Sequence, residues 1–539
     1  MVWGSGDRAA ALSLLDTSPR RLATFALAVD RPDVARSALD RMPAAEPARA
    51  VLLARLAVRE GRLRDGVAAL DGVPGRKTAR LRAAAAGELY VLTDGIPPGE
   101  RPAHPVAPGP RAASVPGRVL HLVTDALPTT NAGYTVRTQR IAVAQGHPDG
   151  RRVANLDGVP YHRLLPYRLP SRADAAAALG HDLAARLTGR LRPAVLHAAS
   201  NHLNGQLALA LREDFGLPVI YEVRGFWEET WLSRHGVDPG LAAQPVTTST
   251  PSRSVPSPAG AARPARETVV PARLLAADLA ASDFYLLSRE AETRCMTEAD
   301  LVITLGEVMR AEIVARGVDP GKVIVVPNAV SAEFLEPLPD GGPLRETLGI
   351  RPGELAVGLV SNLVAYEGVG TLLEAAAELR RRGQPVRPLI VGDGAERAAL
   401  QRLAGQLGLT GAAIFTGRVP MAEVRRYHAV LDLFVVPRTT DRVCQLVTPL
   451  KPVEAMASGL TVVASNVGAL REIIRPEVTG ALATSGDPVS FADIMEPLLY
   501  SSDIRRKLGA NAREWVARDR TWAHNAAIYR AAYERLGAV

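Results

Sequence analysis

Short apolar runs alternate with amphipathic helical patterns along most of the chain, and this order is typical of parallel sheets with crossover helices. The first series of runs is RVLHLVT from Arg118, AVLHA from Ala194, PVIYEV from Pro218, LVITL from Leu301 and KVIVVP from Lys322. The second is LAVGLV from Leu355, RPLIVG from Arg387, AAIFTG from Ala412, LDLFVVP from Leu431 and TVVAS from Thr461. We predict an α/β chain with two Rossmann-like parallel-sheet domains that face a cleft, where such sheets bind ligands.

The N-terminal residues 1–96 lack strand patterns and are predicted to be all-α. Ala and Leu recur at helical spacing, with breaks near Pro43 and Pro74. The segments LAVDRPDVARSALDRMP from Leu27 and LAVREGRLRDGVAALDGVP from Leu56 are alike, at a period of about 30 residues, near that of tetratricopeptide-type hairpins. We predict a tetratricopeptide-like module for docking to another protein or for self-association. A plain helical cap on the next domain is the alternative.

Proline-rich tracts mark the remaining boundaries. The tract IPPGERPAHPVAPGPRAASVPG predicts a linker at 97–117, and TTSTPSRSVPSPAG lies in a predicted flexible insertion at 236–271. The two sheet domains are then 118–333 and 334–520, followed by a C-terminal helix at 521–539. Within that helix, Trp522 and Tyr529 are expected to pack rather than catalyse.

The composition excludes several classes of protein. The chain has 539 residues, 47% hydrophobic and 22% charged, and no apolar run approaches the roughly 18 to 20 residues of a membrane span. Asp7 and Arg8 are charged residues at positions where a signal peptide would have its apolar stretch, which argues against export. The two cysteines, Cys295 and Cys444, are too few and too far apart in sequence for a disulfide framework. We expect a cytoplasmic protein, with a peripheral place at the inner membrane as an alternative. The net charge of +8 is scattered Arg without interleaved aromatics, which argues against a nucleic-acid partner.

The segment TPLKPVEAMASG, Thr448 to Gly459, combines a helix start with two opposite charges. Glu454 falls in the first helical turn, where the helix dipole favours a carboxylate, and its oxygens can accept both hydroxyls of a ribose. The free N–H groups of that turn suit a diphosphate, and Lys451 on the same face adds positive charge. A helix-start acid paired with Lys451 is the structural alternative.

Six motifs in register resemble those of the large retaining GT-B glycosyltransferase family 4, which includes sucrose synthases and bacterial mannosyl- and N-acetylglucosaminyltransferases. They are VVPNAV from Val325, GLVSNLVAYEGVGTLLEA from Gly358, LIVGDGAERAAL from Leu389, FTGRVP from Phe415, KPVEAMASGLTVVAS from Lys451 and VGALREII from Val467. The resemblance covers the chain from about Arg118 to the C-terminus. The YEG and TPLKPxEAMA patterns are similar to those of one subgroup of this family.

The resemblance implies a GT-B, retaining transfer of a sugar from a nucleotide-diphosphate sugar, with a UDP-sugar favoured, to a glycan, lipid or small-molecule hydroxyl. It implies no cofactor. The cleft segments contain no Asp-x-Asp metal motif, so we expect the transfer to be metal-independent. It also implies that the C-terminal helix crosses back to the first sheet domain. The donor site would contain Gly133, Asn362, Glu367, Gly417, Arg418, Val419, Gln445, Thr448, Pro449, Leu450 and Glu454.

Within this set, Glu454 would bind the nucleotide ribose, and the backbone at residues 417–419 would contact the base. Gly133, in the loop after the first strand, would allow the backbone to approach the donor closely. An ordinary turn glycine is the alternative for Gly133.

The sequence departs from the family pattern at several positions. Asn362 and Glu367 replace an Arg and a Lys that grip the diphosphate, and Leu446 replaces the first acid of the Glu-x7-Glu pattern, which holds the donor sugar. The family's histidine in the first domain falls at Arg224. We predict that Lys451 and Arg224 are the catalytic cations, since diphosphate oxygens in a cleft need compensation. For Arg224, a brace to Glu228 or Glu229 is the alternative.

Two other functions follow from these departures. One is a GT-B binding scaffold or weak enzyme, because the usual acid and cations are absent. The other is a sugar-nucleotide epimerase of the same architecture, which would need carboxylates facing the sugar from both domains. The sequence shows no such pair of acids at matching positions.

Overall fold

The computed structural model of the chain describes residues 18–29, 31–97, 114–123, 154–156, 159–162, 170–235 and 276–538. Of the predicted linker at 97–117, only residue 97 and residues 114–117 are described. The predicted insertion at 236–271 and Gly133 lie outside the described residues. The chain divides into two compact units: one contains the N-terminal helices with 170–175 and 231–288, and the other contains both parallel sheets.

The described residues of the N-terminal part of the first unit form helices joined by turns, with no strand among them. Three of its helices begin with proline, which suits the first helical position because the N–H there has no partner within the helix. Leu22, Leu39 and Leu52 are buried in one apolar cluster. The tetratricopeptide-like character of this part stays a prediction. Its helices are α1 (Pro19–Ala28), α2 (Pro32–Asp40), α3 (Pro47–Arg59), α4 (Leu63–Ala68) and α5 (Arg76–Thr93).

The first parallel sheet has the strand order β1-β4-β5-β6-β7, and its strands coincide with the first series of predicted runs. Its central strands are buried along their whole length, which explains their continuous apolar sequences. The strands are β1 (Val119–Leu122), β4 (Val195–Ala199), β5 (Val219–Val223), β6 (Leu301–Thr304) and β7 (Val323–Val325). The sequence did not predict the separate antiparallel pair β2 (Ala154–Leu156) and β3 (Val159–Tyr161), because each strand is only three residues long.

Crossover helices connect the strands of the first sheet, as expected for parallel pairing. They are α6 (Ala173–Leu191), α7 (His202–Phe215), α8 (Trp227–His235), α9 (Ala276–Ala280), α10 (Asp283–Glu298) and α11 (Glu307–Ala315). Below, the first-sheet domain means this sheet together with its helices and loops, up to residue 333, within the second compact unit. The second-sheet domain means residues 334–520.

The second parallel sheet has the order β10-β9-β8-β11-β12-β13. Its strands are β8 (Leu355–Val360), β9 (Val386–Val391), β10 (Ile414–Gly417), β11 (Leu433–Val436), β12 (Val462–Ser465) and β13 (Gly480–Ala483). The first five match the predicted second series. The prediction omitted β13, because GALA lacks the β-branched and aromatic residues typical of strands. Two parallel sheets confirm the predicted α/β fold class.

The helices of the second-sheet domain lie between and beyond these strands. They are α12 (Gly342–Thr347), α13 (Val369–Arg381), α14 (Arg397–Gln406), α15 (Val424–His428), α16 (Arg442–Leu446), α17 (Lys451–Ala457), α18 (Gly468–Arg471), α19 (Pro488–Tyr500) and α20 (Ser502–Asp519). Within the described ranges, no helix is both long enough and apolar enough to cross a membrane.

The C-terminal helix α21 (Trp522–Arg535) packs against the first sheet. Trp522 and Tyr529 are buried in an apolar cluster that contains Ile220 of β5. Tyr529 Oη also donates a hydrogen bond to Glu222 Oε1 at 2.7 Å. Both aromatic side chains therefore have packing roles.

Candidate active site

The carboxyl ends of β8 and β11 form the structural centre of the candidate site. These strands are neighbours in the middle of the second sheet, with β9 and β10 on one side and β12 and β13 on the other. The chain leaves the sheet in different directions from two such strands, and open α/β sheets bind ligands in the crevice that results. Ser361 follows β8 directly, and Arg438 lies two residues beyond β11.

A buried group of charged and polar side chains occupies this crevice. Arg438 Nη2 contacts Glu367 Oε1 at 2.7 Å, and Ser361 Oγ donates to Glu367 Oε2 at 3.1 Å. Lys451 Nζ donates to Ser361 Oγ at 2.7 Å. Glu367 and Arg438 are 5% and 8% exposed, so this pair is largely shielded from water. Two cations, Arg438 and Lys451, therefore meet the Glu367 carboxylate at the end of the sheet, and the Glu454 carboxylate also acts on Lys451.

Gly368 allows the two loops to meet. It has φ of 66° and caps α13, and a Cβ at this position would overlap the carbonyl oxygen of Pro437. Glycine is therefore required both by the backbone angle and by the close approach of the loop after β11. The YEG pattern places Glu367 beside Arg438 for this reason.

The charges of this group change the acidity of its members. Burial acts to raise the pKa of Glu367, but the positive charges of Arg438 and Lys451 outweigh burial and lower that pKa to about 2. Glu367 is therefore ionised at neutral pH. Burial also lowers the pKa of the Lys451 ammonium, against the opposing attraction of Glu367. An anion that enters the site would favour the charged form of Lys451.

Helix α17 places Lys451 and Glu454 one turn apart. Lys451 is its first residue, and Glu454 is 7% exposed. The Glu454 N–H donates to the carbonyl oxygen of Leu450 at 3.2 Å. The proposed ribose ligand and the proposed cation therefore belong to the same short element, beside the carboxyl ends of β8 and β11.

Two hydrogen bonds hold the chain just before α17. Gln445 Oε1 accepts the Gly468 N–H at 2.8 Å, and the Thr448 carbonyl oxygen accepts a hydrogen bond from Asn328 Nδ2 at 2.8 Å. Thr448 and Pro449 are buried, while Leu450 is half-buried.

Leu446 belongs to the buried apolar cluster of the first-sheet domain and is 7% exposed. The same cluster contains Val223 and Phe226. The side chain at the position of the family's first acid is thus embedded among apolar groups.

The remaining donor-site predictions lie along the same sheet edge or outside the described chain. Asn362 follows Ser361 and is exposed. Gly417 ends β10 with φ of 77°, and its carbonyl oxygen accepts the Gly392 N–H at 2.9 Å. Arg418 is exposed, and Val419 is half-buried against the second-sheet core. Gly133 lies outside the described residues.

Arg224 follows β5 in the first-sheet domain and is 9% exposed. Its Nη2 lies 2.7 Å from Glu222 Oε2, and the Arg224 N–H donates to Ser200 Oγ at 3.1 Å. The Arg224 guanidinium therefore shares its charge with Glu222, a residue that the sequence did not single out.

The two carboxylates considered as partners of Arg224 form ion pairs with other arginines. Glu228 Oε1 lies 2.8 Å from Arg316 Nη1, and Glu229 Oε1 lies 2.7 Å from Arg442 Nε. Burial raises the pKa of Glu228 to about 7, although Arg316 opposes this shift. Both acids are buried, and their arginine partners come from both sheet domains.

Sequence reasoning missed Ser361 and Arg438. Both follow predicted strands, LAVGLV and LDLFVVP, that prove to be neighbours in the sheet. The signal was a polar residue at the carboxyl end of each strand, but the sequence does not give the strand order that brings them together. Among the described residues, no group of three or more His, Cys, Asp or Glu is placed to hold a metal ion.

Comparisons with known proteins agree with this architecture. Residues 343–515 match the family model of glycosyl transferases group 1, and residues 76–329 match that of a glycosyl transferase 4-like domain. Sucrose-phosphate synthase from Thermosynechococcus elongatus superimposes with a TM-score of 0.56 at 18% identity, covering 78% of this chain and 96% of that one. The chain has a GT-B glycosyltransferase fold. A glycosyltransferase from Rickettsia africae gives a TM-score of 0.54 at 12% identity, over 78% of this chain and 98% of that one.

Curated relatives at higher identity are also glycosyltransferases by name. The chain is 32% identical over 250 residues to D-inositol 3-phosphate glycosyltransferase of Nocardia farcinica, covering 44% of this chain and 54% of the relative. It is 34% identical over 180 residues to a GDP-mannose-dependent phosphatidylinositol monomannoside mannosyltransferase of Mycobacterium tuberculosis, covering 33% of this chain and 46% of the relative. The chain thus spans about half the length of these relatives. Together, these matches make the chain similar to group 1 glycosyltransferases.

Proposed function

We propose that this GT-B protein is a retaining, family 4-like glycosyltransferase, which moves a sugar from a nucleotide-diphosphate sugar to an acceptor hydroxyl without a metal ion. The observation that carries the proposal is the buried group of Arg438, Lys451, Glu367 and Ser361 at the carboxyl ends of β8 and β11. Fixed positive charge in a crevice that excludes water is the feature needed to stabilise a departing diphosphate.

In this proposal the bond between the anomeric carbon and the diphosphate oxygen breaks, and its electron pair stays on that oxygen. The acceptor hydroxyl oxygen forms a new bond to the same carbon, on the face that the nucleotide leaves. The hydroxyl proton passes to the departing diphosphate. Lys451 and Arg438 stabilise the negative charge that develops on the leaving group, so no carboxylate dyad is needed.

The donor nucleotide is proposed to lie along the carboxyl edge of the second sheet. Glu454 binds the ribose hydroxyls, and the backbone at residues 417–419 contacts the base. The backbone at Gln445 and residues 448–450 completes the pocket around the diphosphate. Asn362 and Glu367 follow β8 in the chain and are proposed to belong to this donor site.

Arg224 is proposed as the cation on the first-sheet side of the cleft, and Gly133 as the site of close backbone approach there. Because Arg224 already contacts Glu222, part of its charge is balanced before a ligand binds. The acceptor is proposed to be a glycan, a lipid or a small molecule bound from the same side.

The proposal is tested first by donor binding and then by analysis of the glycoside product. Purified full-length protein is screened by thermal shift with UDP-glucose, UDP-N-acetylglucosamine and GDP-mannose, because a bound donor raises the melting temperature by mass action. GDP-mannose is included because the mycobacterial relative is named for it. We expect a UDP-sugar to give the largest shift. Nuclear magnetic resonance of a glycoside product then shows whether the anomeric configuration is retained, and an inverted product would reject the mechanism.

Donor binding without turnover is a second candidate, favoured by the position of Leu446 within the first-sheet apolar cluster. A leucine there gives the donor sugar no carboxylate ligand. Binding of a nucleotide sugar with no glycoside formed from a broad acceptor set would favour this scaffold. Release of an epimerised sugar without acceptor would instead indicate an epimerase.

A further inference from the structure

Arg442 of the second-sheet domain reaches two carboxylates of the first-sheet domain. Its Nε donates to Glu229 Oε1 at 2.7 Å, and its Nη2 donates to Glu312 Oε2 at 2.7 Å. The Glu229 side chain is fully buried, that of Glu312 is 12% exposed and that of Arg442 is 46% exposed. One guanidinium from the edge of the second-sheet domain thus joins two acids of its neighbour.

Arg442 lies closer to Glu229 than Arg289 of the first-sheet domain does. Arg289 Nη1 lies 3.8 Å from the Glu229 oxygen that Arg442 contacts at 2.7 Å. Glu312 also contacts Arg289 and Arg316, at 3.1 Å and 2.9 Å. Removing the nearer cation from a buried carboxylate is costly, so the ion pair with Glu229 favours the arrangement in which Arg442 is docked.

Arg442 is the first residue of a stretch that we call the docking segment, residues 442–451. The segment also meets the first-sheet domain at Leu446, within the apolar cluster, and at the Thr448 carbonyl oxygen, which accepts from Asn328. It ends at Lys451, which donates to Ser361 in the candidate active site. Arg442 and Lys451 are thus the first and last residues of one ten-residue segment, so the contacts of Arg442 restrict where Lys451 can lie.

Helix α11 receives a second contact from the second-sheet domain. The Glu472 carboxylate accepts the N–H of Val308 in the first turn of this helix, and Glu312 lies one turn further along it. Thr448 Oγ1 donates to Glu472 Oε2 at 3.4 Å and connects the two contacts. The docking segment and Glu472 therefore hold one helix from two sides.

We propose that Arg442 is a positioning residue, whose ion pairs with Glu229 and Glu312 hold the docking segment against the first-sheet domain and preset Lys451 for the donor. The inference rests on the proposed function only in its last step, the consequence for donor binding. Arg442 itself contacts neither the donor nor the acceptor. Its ion pairs act by reducing the number of arrangements that the segment samples before a donor enters.

Hydrogen exchange on the donor-free full-length protein tests the structural step. We expect Arg442→Ala to speed amide exchange in residues 443–451 and at Val308 by about fivefold, the factor for losing a partly exposed ion pair. Arg442→Lys should restore part of the protection, because the charge is kept but the fork geometry is lost. The matched control is Arg382→Ala, which removes an arginine that contacts Glu378, Asp493 and Glu496 within the second-sheet domain.

Unchanged exchange in Arg442→Ala would overturn the proposal, as would an equal change in Arg382→Ala. Glu312→Gln serves as a second variant and should speed exchange in the same peptides even where Arg442→Ala folds poorly.

Titration calorimetry with UDP-glucose and GDP-mannose tests the last step. For whichever donor the wild type binds, Arg442→Ala should raise the Kd about fivefold, and an unchanged Kd would overturn the positioning role. If neither donor binds the wild type while exchange still rises, the proposed function fails and the docking role of Arg442 stands.

Discussion

Arg438 and Glu367 form a buried ion pair of 2.7 Å that joins the loops after β11 and β8. Each charged side chain supplies the interactions that water would otherwise give the other. Ser361 donates a further hydrogen bond to the carboxylate. Removing one partner leaves the other charge buried and uncompensated, which usually costs more than the intact pair contributes.

The first prediction concerns the stability of this pair. Arg438→Ala should lower the free energy of unfolding by about 3 to 5 kcal/mol, the usual loss for breaking a buried ion pair. Urea unfolding followed by circular dichroism measures the change. Arg397→Ala is the control, because it breaks a surface pair with Asp393 at 3.4 Å, for which a loss of about 0 to 1 kcal/mol is typical. Equal losses in the two variants would contradict the prediction.

The second prediction is a dependence of stability on acid pH. The pKa of Glu367 is lowered to about 2 in the folded protein, from an ordinary value of 4.5. A carboxyl group with a lowered folded pKa contributes stability that is complete above its unfolded pKa and is lost as the pH falls through its folded pKa. The contribution of Glu367 should therefore disappear between about pH 4.5 and about pH 2.

Urea midpoints across this range test the assignment. Glu367→Gln should flatten the fall in stability over this window, because glutamine does not titrate. If the variant loses stability with the same pH slope as the wild type, Glu367 is not the group responsible.

The third prediction separates the two proposed cations. Lys451→Ala should raise the Kd of the nucleotide sugar about tenfold or more, as expected for loss of a charge-assisted contact in a shielded site. Arg224→Ala should have a smaller effect on the Kd, because Glu222 already balances its charge. Titration calorimetry with the donor found in the thermal-shift screen measures both. Lys451→Arg is the control and should retain part of the affinity.

A larger effect of Arg224→Ala than of Lys451→Ala would move the phosphate contact to the first-sheet domain. Unchanged donor affinity in both variants would reject both cations.

The sequence predicted much of the fold because buried parallel strands leave a strong local pattern. All ten apolar runs became strands, whereas β13 was missed because GALA has no β-branched residue. The candidate site was harder to predict, since Glu367 and Arg438 are 71 residues apart and meet only because β8 and β11 are neighbours. Strand order is a property of the whole sheet, and the local sequence around Arg438 does not encode it. The sequence shows that Glu367 stands where the family pattern has a Lys. It does not show that Arg438 is the partner of this carboxylate.

The last prediction concerns Leu446, which falls where the pattern of the resembling family has its first acid. If the missing carboxylate were a simple loss, Leu446→Glu would restore a ligand for the donor sugar. The structure buries this side chain in the apolar cluster with Val223 and Phe226, so a carboxylate there would lose its hydration. We therefore expect Leu446→Glu to lower the free energy of unfolding by on the order of 3 kcal/mol and to give no gain in donor affinity or turnover.

Urea unfolding and donor titration are measured together for this variant. Ile504→Glu, at a side chain 46% exposed in α20, is the matched control and should change neither quantity. A stable Leu446→Glu protein with tighter donor binding would mean that position 446 faces the donor, and the docking segment would then have to leave the first-sheet cluster when a nucleotide sugar binds. A destabilised variant with unchanged or weaker binding would instead mean that Leu446 anchors the docking segment in the first-sheet cluster.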